Sequence, residues 1–149
     1  MSSHSVSASR PPAASPGPDR GATRTLWFLR IASAVFLLAA LLQAASAGQL
    51  LEGLASGRAA HGIGALLVGV LSLVQLVAAV LVWRPGRGAG WPAVLGLVVV
   101  LGTAVQLMAG VSGMRLVHVP LGTALVALGA WLVVWSWSRH RTGAAAVAR

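Results

Sequence analysis

The sequence predicts an all-α fold, an integral membrane four-helix bundle built from two helix-pair repeats with both termini on the cytoplasmic side. Three observations predict it. Hydrophobic residues make up 57% of the 149 residues and charged residues 9%, where a soluble domain carries roughly a quarter charged. The mean hydropathy is +0.84. The apolar residues fall into four segments of about 20, each long enough to cross a hydrocarbon core as a helix, which satisfies its own backbone groups in lipid.

The segments run over residues 26–47, 60–83, 91–110 and 116–137, within a membrane domain of residues 26–138. The connections between them are short, so neighbouring helices are antiparallel. Arg84-Pro85-Gly86-Arg87-Gly88 reads as a tight turn. Residues 1–25 form a Ser/Pro/Ala/Arg-rich tail with too few apolar side chains to offset ordering entropy, and residues 139–149 form a basic tail. The segment Ala44-Ala45-Ser46-Ala47-Gly48 looks like a signal-peptidase site behind a basic region. The apolar run before it exceeds the usual length, however, and its Gln43 has a counterpart later in the chain. The first helix is therefore expected to be retained.

Charge sets the direction. All eleven basic residues are arginine, which together with the abundance of Ala and Gly suggests a high-GC bacterial genome. Arg10, Arg20, Arg24, Arg30, Arg84, Arg87, Arg139, Arg141 and Arg149 fall on one side, and only Arg58 and Arg115 on the other. The positive-inside rule puts the first group in the cytoplasm, in a bacterial inner membrane. Trp27, Trp83, Trp91, Trp135 and Trp137 fall at the same boundary, where an indole buries its ring beside the headgroups. The net charge of +9 is spread over helix ends and forms no stripe, which argues against nucleic acid as a partner. With no cysteine there is no disulfide frame and no thiolate chemistry.

One pattern occurs twice. Leu42-Gln43-Ala44-Ala45-Ser46-Ala47-Gly48 ends the first helix, and Val105-Gln106-Leu107-Met108-Ala109-Gly110 ends the third. His61 opens the second helix with Gly64 three residues on, and His118 opens the fourth with Gly122 four residues on. All four polar residues belong near the outer leaflet. In an up-down-up-down bundle the second and fourth helices are diagonal, so the two imidazoles face one another. Helical spacing puts His61, Gly64, Val68, Ser72 and Gln75 on one face, and His118, Gly122, Leu125, Gly129, Leu132 and Ser136 on another. Leu95, Val99, Gly102 and Gln106 align on the third helix.

Several chemistries meet this pattern. A histidine at a helix start near headgroups can simply reach water, which leaves a structural or accessory membrane protein with no cofactor. A zinc site normally takes three or four ligands, and Asp19 and Glu52 are the only acids. A quinone or small solute would find hydrogen bonds at Gln43, Gln75 and Gln106. A b-type haem takes one axial imidazole on each face and needs an apolar slot. His61 and His118 are then its axial ligands, Gly64 and Gly122 clear space beside them, the amides of Gln43 and Gln106 accept from the second ring nitrogens, and Arg115 or Arg58 pairs with the propionates. Electron transfer with a redox partner would follow. Glu52, among Leu50, Leu51 and Leu54, reads as a solvated residue of an interfacial turn.

The run Val105–Gly122, with His61 on the second helix, resembles one four-helix half of the haem A synthase family, and the likeness extends over roughly residues 26–137. That family has two similar halves, each with a histidine near the outer side of its second and fourth helices, and these pairs bind haem. The resemblance implies that His61 and His118 are axial ligands. This chain departs from the family pattern in having Glu52 nine residues before His61 where the family's glutamate lies three before, Gly62 in place of an arginine, no loop cysteine pair and a single half. The hydroxylating reaction is therefore not implied. The layout is also similar to small four-helix bacterial membrane proteins with the same Gln/His arrangement, a likeness that gives a fold and no activity.

The topology has a direct check. A reporter fused after Arg149 and active only outside the cytoplasm is expected to be silent, and an active fusion would invert the bundle.

Overall fold

The computed structural model describes residues 20–147, with side chains described as far as Arg139. Its regular structure is four α-helices: α1 Arg20–Leu51, α2 Ala55–Trp83, α3 Trp91–Val111 and α4 Arg115–Val147. All four are long and apolar enough to span a membrane. The chain is thus a multi-pass membrane bundle, and its large aliphatic side chains on the perimeter face lipid. Ile63, Leu66, Val94, Leu116 and Val134 are among the exposed ones.

Three helices run past the expected spans. α1 starts six residues before Leu26, inside the stretch read as tail, and α2 starts five before Ala60. α4 continues through the second stretch read as tail, to Val147. An α-helix satisfies its backbone internally, so nothing stops it at the hydrocarbon edge, and the hydropathy pattern marks that edge instead of the helix end. Residues 1–19 lie outside the described residues.

The helices form a closed ring. α1 packs on α2 and α4, and α3 packs on α2 and α4, while neither diagonal pair brings its backbones close. Close contacts at two glycines fix the register. Gly96 meets the Leu76 backbone at 3.2 Å from where its Cβ would be, and Gly129 meets Phe36 at 3.0 Å. The lack of a side chain at these points lets neighbouring helices approach closely.

Packing divides along the axis. At the tryptophan end Leu29, Ala32, Ala78, Ala79, Val82, Ala93 and Leu132 form one buried cluster. Nearer the middle Phe36, Val99 and Leu125 form a second. Arg30, counted in the sequence as a boundary cation, is buried at 1% exposure. Its Nε donates to the Ser136 carbonyl at 2.9 Å. Its guanidinium lies 4.9 Å from the Trp27 ring and 5.3 Å from the Trp137 ring, so aromatic faces supply part of the solvation that water would give.

The two far turns are copies of one another. α1 ends with Gly53 at φ 76° and α3 with Gly113 at φ 68°, the left-handed conformation that glycine adopts without a Cβ clash. Leu54 N–H donates to Gln49 O at 3.0 Å and Gly53 N–H to Leu50 O at 3.1 Å; Met114 N–H donates to Ala109 O at 2.8 Å and Gly113 N–H to Gly110 O at 3.2 Å. Both are Schellman closures. Ten residues separate Gln43 from Gly53 but seven separate Gln106 from Gly113, and eight separate Gly53 from His61 but five separate Gly113 from His118. The first pair therefore extends about one helical turn beyond the second on both of its helices.

Gln75 is fully buried, and neither its Oε1 nor its Nε2 has a partner. A buried polar group left in that state costs about 1–3 kcal/mol. Gln75→Leu keeps the shape and removes the amide, so it is expected to raise the midpoint of denaturant unfolding in detergent. An unchanged or lowered midpoint would show that the amide has a partner.

Candidate functional site

The site forms at the end of the bundle opposite the tryptophans, where the two helix pairs meet. His61 comes from the second turn of α2 and His118 from the first turn of α4. Both are half-buried. Although α2 and α4 are diagonal, the two rings reach across the axis to a centroid separation of 6.0 Å with planes inclined at 64°.

Each ring is held through Nδ1. His118 Nδ1 lies 3.0 Å from the backbone carbonyl oxygen of Gln106. That oxygen can only accept, so Nδ1 carries the proton and donates. His61 Nδ1 lies 3.1 Å from Ser46 Oγ. The Ser46 hydroxyl already donates to the Gln43 carbonyl at 3.0 Å, which leaves its lone pair to accept from His61 Nδ1–H. In a neutral imidazole one nitrogen is a donor and the other an acceptor. Both Nε2 atoms therefore keep a free lone pair, the arrangement found where a histidine ligates a metal through one nitrogen and is oriented through the other.

The glutamines take different places from those expected. Their side-chain amides are not the acceptors for the imidazoles; Ser46 and the Gln106 backbone are. The Gln43 amide packs into the notch left by Gly64, and the Gln106 amide into the notch left by Gly122, with Nε2 2.7 Å from where a Gly122 Cβ would be. With its amide turned so that donors meet acceptors, Gln43 donates to His61 O at 3.1 Å and accepts from Ala65 N–H at 3.3 Å. The two glycines thus make room for the glutamines. The physical reason is length: an amide two methylenes from its backbone overshoots the ring one turn away and reaches the neighbouring helix. Gln106 Oε1 is buried with no partner.

Arg115 is exposed at the first residue of α4, and Arg58 is exposed in the first turn of α2. Each precedes its histidine by three residues, Arg58-Ala59-Ala60-His61 and Arg115-Leu116-Val117-His118. This shared spacing is a further mark of the repeat. Glu52 is exposed in the α1–α2 turn, a turn farther out than the rings. Among the described residues no third His, Cys, Asp or Glu joins the pair.

Two supporting residues, and one buried hydroxyl elsewhere on α3, escaped sequence reasoning. Ser46 sits one turn after Gln43, and only the folded pairing shows that its hydroxyl orients His61. Gly110 lies against the other ring, with its Cβ position 2.9 Å from His118 Cε1 and 3.1 Å from Nδ1. Thr103, buried with Oγ1 unpartnered, is one residue off the α3 stripe read from spacing.

Gly110→Ala drives a methyl into the His118 ring and is expected to break the bond to Gln106 O. The Nδ1–H signal of His118 in nitrogen-edited NMR should weaken or shift. Gly69→Ala is the control, because its Cβ position meets only Leu107 Cδ1 at an ordinary 3.7 Å; it should leave that signal in place.

Comparison of the chain with family models, with curated proteins and with solved structures finds no match.

Proposed function

We propose that the protein is a plasma-membrane b-type haem protein with His61 and His118 as axial ligands, suited to electron transfer. The observation that carries this reading is the ring pair itself. Metal–imidazole bonds are about 2 Å long, so two imidazoles on opposite sides of one ion have centroids roughly 6 Å apart, a spacing that these rings meet at 6.0 Å and that plain edge-to-face packing also gives. Both Nε2 lone pairs are free and both Nδ1 protons are committed. The donor set fits haem: two neutral nitrogens complete an iron whose other four ligands belong to the porphyrin. Bound there, haem would supply one-electron chemistry.

The chain's own contribution is to hold the rings. Ser46 and the Gln106 carbonyl fix their tautomer and orientation. Gln43 and Gln106 fill the flanks through amides packed on the facing helices, and Arg115 and Arg58 stand one turn away as donors for carboxylates at the water boundary.

A second reading, a cofactor-free accessory membrane protein, draws on the filled glycine notches, which also suit a closely packed bundle in which the histidines only tie helices together.

The two part on one measurement, the reduced-minus-oxidised spectrum of protein produced with ample haem. The first expects low-spin bands in the parent and their loss in both His61→Ala and His118→Ala. Ser46→Ala should retain the bands with about 10–100-fold weaker haem retention, as for other groups that orient a ligand histidine. A parent without bands, or single variants with the full low-spin spectrum, would overturn it in favour of the accessory reading.

A further inference from the structure

A groove runs down the lipid-facing side of the α1–α2 pair, beside His61. Its volume is about 400 Å³, within the ~300–1,000 Å³ typical of small-molecule sites. Its lining changes along the membrane normal. The end toward the bundle middle is apolar, with Ala39, Leu42 and Leu67; the end toward the turn carries Gln43, Ser46 and Gln49. Ala45 and Ala60 keep the space between the helices open, while the Gln43 amide fills the notch at Gly64. The one-turn extension of α1 and α2 beyond α3 and α4 supplies the Gln49 level, which has no equivalent in the second pair.

The polar end is neutral. No charged side chain lines the groove, although Arg58 lies nearby on α2. A phosphate or ammonium headgroup would be desolvated there without a counter-charge, at a cost. An acyl chain alone would leave the amide end unmatched. Gln43 and Ser46 are already engaged with the bundle, while the Gln49 side chain makes no hydrogen bond to any described residue. Its amide offers both a donor and an acceptor at the mouth. The matching ligand is amphipathic, with an apolar tail toward the bilayer middle and an uncharged head bearing carbonyl or hydroxyl oxygens. A flat head suits a slot walled by Ala and Gly.

We infer that this groove binds an isoprenoid quinone or quinol, its tail along Leu42 and Leu67 and its ring oxygens at Gln49. The choice of a redox-active head among neutral lipids rests on the haem reading, because Ser46, in the groove wall, is the residue bonded to His61. The binding geometry itself does not need haem.

The test uses the full chain in lipid nanodiscs and a short-tailed azidoquinone as photolabel. Adducts are expected within residues 39–49 and 60–67. Ala45→Phe and Ala60→Phe fill the groove from exposed positions that the fold does not need, and each should cut labelling at least tenfold. Excess unlabelled quinone should compete, while diacylglycerol and phosphatidylglycerol should not. Adducts elsewhere, labelling that persists in both variants, or equal competition by diacylglycerol would overturn the proposal. The haem spectrum of the same preparation separates the two readings. Groove labelling without haem bands leaves this site standing and removes the haem, and haem bands without labelling do the reverse.

Discussion

The seating of a glutamine amide in a glycine notch, made once in each helix pair, is the interaction on which the site depends. Gln43 enters at Gly64 and Gln106 at Gly122. In hydrocarbon an amide with no partner is costly, and helices gain little from apolar contact with one another because lipid tails are equally apolar. Gln43, bonded to the His61 carbonyl and the Ala65 N–H, therefore sets the axial register of its pair more firmly than the aliphatic contacts below it, while Gln106 fits its notch by shape and keeps Oε1 unpartnered. Once both registers are set, His61 and His118 come to the same depth. The first pair has an extra turn on each helix, and because the turn is added to both, the depth match survives.

Much of this was legible in the sequence. Composition and segment length gave four membrane helices, and the spacing of His, Gly and Gln gave their inward faces, as the burial of Ser72, Gln75, Leu125, Leu132 and Ser136 bears out. The hydrogen-bond partners were not legible. Whether an amide accepts from a ring or packs on the opposite backbone depends on distances of an ångström or two between helices, and no periodicity encodes that. Ser46 and Gly110 were hidden for the same reason, since small residues near a helix end carry no signal of their own. Arg30 shows a third limit. Its charge placed it correctly at one end of the bundle, but a cation there can face headgroups or neighbouring rings, and the choice was made by Trp137 and Ser136, more than 100 positions away in the chain.

The two ends of the bundle solve opposite problems. At the tryptophan end a permanent charge is enclosed, and aromatic faces plus one carbonyl stand in for water. At the histidine end the groups are neutral and are held as donors, each with one nitrogen turned outward from its anchor. The first arrangement ties α1 to α4 and leaves one guanidinium nitrogen unmatched. The second ties α1 to α2 and α3 to α4 through the two Nδ1 atoms and leaves each Nε2 without a bond to the described residues. The enclosed cation and the paired imidazoles thus sit at separate ends, so changes at one need not compromise the other.

The repeat is also unequal in a way that bears on its chemistry. His118 is anchored by a backbone carbonyl, which cannot move without the helix. His61 is anchored by a serine hydroxyl, which can rotate away and which depends in turn on the Gln43 carbonyl. The first pair also holds the extra turn, the Gln49 level and the groove. The second pair thus carries a fixed ring anchor, and the first an adjustable one beside a space open to lipid. Of the two rings, His61 thus has the anchor that can move and His118 the one that cannot.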